Sequence, residues 1–98
     1  MTLAADFNDE WKKELSGNAN FYDFIDGFEL EEIYNNVIGE WRWGTEHEAV
    51  VREPLSGDFM KIRWRESSGD AEIDAYDMNV NAIDVRPKEV TKTVYVPV

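Results

Sequence analysis

Residues 45–53 and 58–66 form two alternating runs around Pro54-Leu55-Ser56-Gly57, and this arrangement constrains the fold more than any other part of the chain. A four-residue stretch of turn composition between two β-prone runs predicts a hairpin. Pairing Glu53 with Asp58 fixes its register. On one face Val51 then meets Met60, Ala49 meets Ile62 and His47 meets Trp64. On the other, Glu48 opposes Arg63 and Glu46 opposes Arg65, opposite-sign pairs that contribute ~0.2–1 kcal/mol each. A slip of one residue would exchange the apolar and polar faces and lose both agreements.

The flanking segments supply the other elements. Leu3, Phe7, Trp11 and Leu15 recur every four residues, predicting an amphipathic helix over 2–16. Thr2 is placed to cap it, Asp6, Asp9 and Glu10 suit its start, Lys12 and Lys13 its end, and Gly17 its termination. Phe21-Tyr22-Asp23-Phe24-Ile25-Asp26, bracketed by Asn18, Asn20 and Gly27, reads as one helical turn or as a loop with buried aromatics. Over 28–38 the residues Leu30, Ile33, Tyr34, Val37 and Ile38 fit a helical stripe, but Asn35-Asn36 is a poor helix interior. Ser67-Ser68-Gly69 breaks the hairpin strand. Val80, Ile83 and Val85 predict a strand over 80–86 ended by Pro87, and 90–96 has the β-propensity of an edge strand stopped by Pro97.

These elements make one domain, 1–98, of class α+β: an N-terminal helix packed on a small, mostly antiparallel sheet centred on the 45–66 hairpin. A chain of 98 residues has room for one core. With 43% hydrophobic and 13% aromatic residues, folding outweighs the pull of net charge toward disorder.

Charge and composition exclude several functions. Against 10 Lys+Arg stand 21 Asp+Glu, a net charge of −11. That balance opposes binding to nucleic acid through general basicity and docking on an anionic membrane. Without cysteine there are no disulfides, thiolate zinc sites or Cys nucleophiles. No apolar run approaches the ~20 residues of a membrane span, and no basic-then-apolar leader opens the chain. The expectation is a soluble intracellular protein.

Catalysis lacks its parts. His47 is the one histidine and lies mid-strand opposite Trp64, while the four serines sit in turn-like contexts. Paired carboxylates abound, but a chain this short has little room to enclose a substrate cleft. Asp70, Glu72 and Asp74 occupy positions 1, 3 and 5 of a calcium loop. Ala75 then replaces the required glycine and Asn81 the bidentate glutamate, so no metal site or cofactor is expected. Lys61, Arg63 and Arg65, with Arg42, Trp41 and Trp43, resemble a single-strand-binding stripe. Cross-strand pairing with Glu46 and Glu48 accounts for two of those cations, and no direct nucleic-acid contact is expected.

The distribution of acids is more informative. Residues 20–40 hold Asp23, Asp26, Glu29, Glu31, Glu32 and Glu40 with no base, and 66–84 hold Glu66, Asp70, Glu72, Asp74, Asp77 and Asp84 with none. Both segments interleave carboxylates with apolar residues, unlike a disordered acidic tail. In an extended chain Glu29 and Glu31, or Asp70, Glu72 and Asp74, would stand ~6–7 Å apart on one face. That pitch can imitate a row of phosphates.

Three segments and a tail carry a resemblance. They are Phe28-Glu29-Leu30-Glu31-Glu32-Ile33-Tyr34, Gly39-Glu40-Trp41-Arg42-Trp43, Asp58-Phe59-Met60-Lys61-Ile62-Arg63-Trp64, and the Val-x-Pro-x-Glu-Val-Thr-x-Thr-Val pattern from Val85 to Val94. Across the β-rich part, roughly 28–96, the chain resembles small acidic accessory proteins of tailed bacteriophages. The resemblance favours a strand over 28–38. It implies a non-enzymatic inhibitor of host defence, of the anti-CRISPR or antirestriction kind, in the cytoplasm of an infected bacterium. The implied partner is a basic nucleic-acid-binding host protein, a CRISPR effector or restriction nuclease. The two acidic segments would occupy its channel through Asp23, Asp26, Glu29, Glu31, Glu32, Glu40, Asp70, Glu72, Asp74 and Asp77, with Trp41 and Trp43 as exposed aromatics. The other reading is an acidic assembly module of a phage that adds strand 90–96 to a sister chain, so a homodimer stays open.

Overall fold

The computed structural model describes residues 2–15, 17, 20–67 and 77–98. Helix α1 spans Leu3–Glu14 and begins where Thr2 Oγ1 accepts the Ala5 N–H at 3.2 Å. Leu15 is its C-cap, so the helix is shorter than the expected 2–16. Ala4, Phe7 and Trp11 are buried along one stripe, with Leu3 and Leu15 half-buried at its ends. The ambiguous segment after it is a short helix, α2, Phe21–Asp26. Asn20 Oδ1 nucleates it by accepting the N–H groups of Tyr22 (3.0 Å) and Asp23 (3.2 Å).

Four strands follow: β1 Glu31–Trp41, β2 Gly44–Arg52, β3 Phe59–Ser67 and β4 Asn81–Val85. They form one antiparallel sheet in the order β1-β2-β3-β4. The central register is the expected one, with Val51 opposite Met60, Ala49 opposite Ile62, His47 opposite Trp64, Glu48 opposite Arg63 and Glu46 opposite Arg65. Its turn closes through Glu53 N–H to Asp58 O and Gly57 N–H to Glu53 O, both 2.8 Å. Gly57 takes φ +79, a conformation strained for any side chain.

Two expectations for the strands need correction. The strand expected over 28–38 starts at Glu31 and continues to Trp41. Its register with β2 shifts between Glu32 and Tyr34 and again between Val37 and Gly39, which leaves Ile33 and Ile38 as bulge residues. Each extra residue breaks the period-two alternation, which is why the apolar positions mimic a helical stripe. The segment 90–96 is not a strand of this sheet. Residues 86–98 run outside it, with Val90 79% and Tyr95 93% exposed. Accordingly the radius of gyration is 16.2 Å, against roughly 13 Å for a compact chain of this size.

Both helices cover one face of the sheet. Phe7, Met60 and Ile62 are fully buried at the centre. The rings of Phe7, Trp11, Phe21, Phe24 and Phe28 meet edge-on or tilted at 5.0–5.6 Å, and Phe21 reaches Trp64 at 5.1 Å. Full burial of a side chain such as Phe7 contributes about 1.5–3 kcal/mol, and the half-buried Phe24 and Phe28 contribute less. Polar bonds fix α1 against β4: Asp84 Oδ1 accepts the Ala4 N–H at 3.0 Å. The Asn8 amide holds both peptide groups of Ala82, donating to its O at 2.8 Å and accepting its N–H at 2.9 Å. Among the described residues no helix is long and apolar enough to cross a membrane.

Candidate partner-binding surface

Where the cations go decides what the acids can do. On the face of the sheet away from the helices, Glu48 receives Arg63 Nε at 3.0 Å and the Tyr34 hydroxyl at 3.1 Å, with Lys61 Nζ at 3.7 Å. Burial alone would push the Glu48 carboxyl up, but Arg63, Tyr34 and Lys61 outweigh it and hold the group below its ordinary value. Burial, then the bond to Glu48, raises the Tyr34 hydroxyl. Arg65 Nε meets Glu46 at 3.1 Å, and Arg52 meets Glu31 at 3.3 Å.

The cations of the basic aromatic stripe beside Trp41 and Trp43 are likewise engaged within the chain. Arg65 lies 5.1 Å over the Trp41 ring and Arg42 4.9 Å over Trp43. Trp41 Nε1 donates to the Glu66 carbonyl at 3.0 Å, and the two indoles meet edge-on at 5.6 Å. Trp41 is therefore half-buried rather than exposed, while Trp43 is 48% exposed.

His47 stacks on Trp64 with centroids 5.5 Å apart. Its Nε2 lies 2.8 Å from Thr45 Oγ1 and 3.1 Å from Glu66 Oε2, and Trp64 Nε1 donates to Glu66 Oε1 at 3.1 Å. Burial lowers the imidazole and raises the Glu66 carboxyl. Hydroxyl and carboxylate both address one ring nitrogen, whereas a nucleophilic relay needs them on opposite nitrogens. The arrangement satisfies polar groups beneath the sheet and offers no activated nucleophile.

No family model, no curated protein and no solved structure matches this chain.

Every described carboxylate lies outside the buried core. Asp23 and Asp26 are exposed on α2, Glu29 in the connecting turn, and Glu31, Glu32 and Glu40 on β1. Glu29 takes φ 52 and precedes the strand, so Glu29 and Glu31 do not share a face at strand pitch as expected. Glu31 and Glu32 are consecutive strand residues and point to opposite faces. Asp77 is exposed just ahead of β4, and Asp70, Glu72 and Asp74 lie outside the described residues. Asp23, Asp26, Glu29, Glu31 and Glu32 are thus all exposed along the chain from α2 through the turn into β1, with Glu31 and Glu32 on opposite faces of the strand. The ties of Glu31 to Arg52 and of Tyr34 to Glu48 leave no signal in the sequence, because both depend on the pairing of β1 with β2.

Proposed function

We propose that this chain is a non-enzymatic inhibitor of a host nucleic-acid-binding defence protein, a CRISPR effector or a restriction nuclease. Its acidic path occupies the basic channel where that protein holds DNA. The observation that carries this reading is the exposed path from Asp23 to Glu32, a stretch without a single base, beside a sheet whose Lys61, Arg63 and Arg65 are engaged internally. Carboxylates presented this way compete with phosphates for Lys and Arg, and the attraction steers association and weakens with salt. The chain itself contacts no nucleic acid.

The test uses the triple variant Asp23→Asn, Asp26→Asn, Glu32→Gln. It leaves Glu31 in place because Glu31 holds Arg52. Against purified CRISPR effectors and restriction nucleases, the wild-type chain should block DNA cleavage, compete with duplex DNA and lose affinity steeply with salt. The variant should bind at least tenfold more weakly, about 1.4 kcal/mol, with little change in stability. Cleavage unaffected across the set, equal inhibition by the variant, or a ternary complex with fully bound DNA would overturn the reading.

A further inference from the structure

The two edges of the sheet differ. At β4 the middle residue, Ala82, has both peptide groups taken by the Asn8 side chain of α1. An added strand would find no continuous ladder there. At the other edge β1 is eleven residues long, and no described helix or strand lies on its outer side. An open strand edge is a template for another strand. Between its two bulges β1 keeps Tyr34-Asn35-Asn36-Val37 in regular register.

Residues 86–98 have the properties of the missing strand. The run 90–96 is Val-Thr-Lys-Thr-Val-Tyr-Val, with Val90, Val94, Tyr95 and Val96 exposed. Pro87 and Pro97 bracket 88–96, so every residue between them keeps its N–H donor. At ~3.3 Å per residue this stretch spans ~30 Å, the length of the nine residues of β2 with which bulged β1 pairs.

Charge and topology point to the same edge. The arm carries Arg86, Lys88 and Lys92 against Glu89, whereas β1 and its approach carry Glu29, Glu31, Glu32 and Glu40 with no base before Arg42. Val85 pairs with Phe59, Phe59 with Arg52 and Arg52 with Glu31. The arm therefore leaves the sheet at the end where the acidic start of β1 lies.

We propose that residues 88–96 of one copy add as a fifth strand to β1 of a second copy, and that the exchange is reciprocal. The basic, valine-rich arm is drawn to the acidic edge, and main-chain hydrogen bonds supply the affinity. Strand addition uses the backbone of β1 and leaves its side chains above and below the sheet. The inference therefore stands independently of the proposed inhibitor activity.

Sedimentation of the full chain from about 1 µM to about 1 mM should show a reversible dimer that salt weakens. The double variant Thr91→Pro, Val94→Pro places one proline at an odd and one at an even position. It removes a ladder donor whichever side of the arm pairs, and touches nothing in the folded body. It should dimerise at least tenfold more weakly and still unfold cooperatively. The blocked peptide of residues 86–98, added to the ¹⁵N-labelled double variant, should shift amides within Glu31–Trp41. A wild-type chain monomeric throughout, a dimer indifferent to the prolines, or peptide shifts absent from β1 or centred on β4 or the open sheet face would overturn the inference.

Discussion

Replacing Asn8 by alanine removes both hydrogen bonds that α1 makes to the middle of β4. The Asn8 amide donates to Ala82 O at 2.8 Å and accepts the Ala82 N–H at 2.9 Å. Each bond contributes about 0.5–1.5 kcal/mol net, so the variant should lose about 1–3 kcal/mol. For a domain of this size each kcal/mol lowers Tm by about 4–8 °C, a change readily followed by circular dichroism. Asn8→Asp separates the two bonds. An aspartate keeps the acceptor for the Ala82 N–H but places a carboxylate, which cannot donate, against the Ala82 carbonyl. Protonation restores the donor, so the folded protein should hold this carboxyl above its unfolded value. That contribution is fully present below the unfolded pKa and is lost as pH rises through the folded one. The Asp variant should therefore gain on the Ala variant as the solution is acidified. Hydrogen exchange at Ala82 should be slow in the wild type, where its N–H is bonded to Asn8, and accelerate in Asn8→Ala. A variant within about 0.5 kcal/mol of wild type, with Ala82 still protected, would refute this account. The β4 edge would then be as open to an added strand as the β1 edge.

Two further perturbations test the sheet. Exchanging Glu48 and Arg63 should not be neutral despite their cross-strand register, because Glu48 also takes the Tyr34 hydroxyl and faces Lys61. A double-mutant cycle should return a coupling of about 0.3–1 kcal/mol for the pair, with the swapped protein less stable than wild type; a swap of wild-type stability would remove Tyr34 and Lys61 from the network. His47→Gln probes the half-buried imidazole, whose pKa is lowered by its partial burial. The histidine's contribution is fully present above its unfolded value of about 6.5 and declines as pH falls from there toward the folded value. In urea titrations at a series of pH values, the stability of wild type relative to the variant should therefore fall on acidification. A difference that stays flat with pH would show that His47 is not held neutral by burial.

Much of this fold is local enough to be read from sequence. The β2–β3 register follows from two contiguous runs whose apolar and charged partners agree in only one alignment, across a turn where Gly57 supplies the positive φ. Helix α1 follows from one stripe and the Thr2 cap. The β1 strand was harder to read, because bulges at Ile33 and Ile38 break its alternation and its turn to β2 is Arg42-Trp43. Neither turn residue has positive φ, so no glycine or asparagine announces the hairpin.

Tertiary structure decided the rest. The run 90–96 has the composition of a strand, but a strand exists only where an edge offers free donors and acceptors. The neighbouring edge is already satisfied at Ala82 by a side chain from α1, seventy-four residues away in sequence. The acidic path was decided in the same way. Composition places six carboxylates between residues 20 and 40. Only the fold gives Glu29 its left-handed backbone, ties Glu31 to Arg52 and leaves Asp23, Asp26 and Glu32 facing solvent. Residue type and spacing carry propensity and charge, which are properties of a segment. Which hydrogen-bonding groups and charges remain unmatched is a property of how the segments meet.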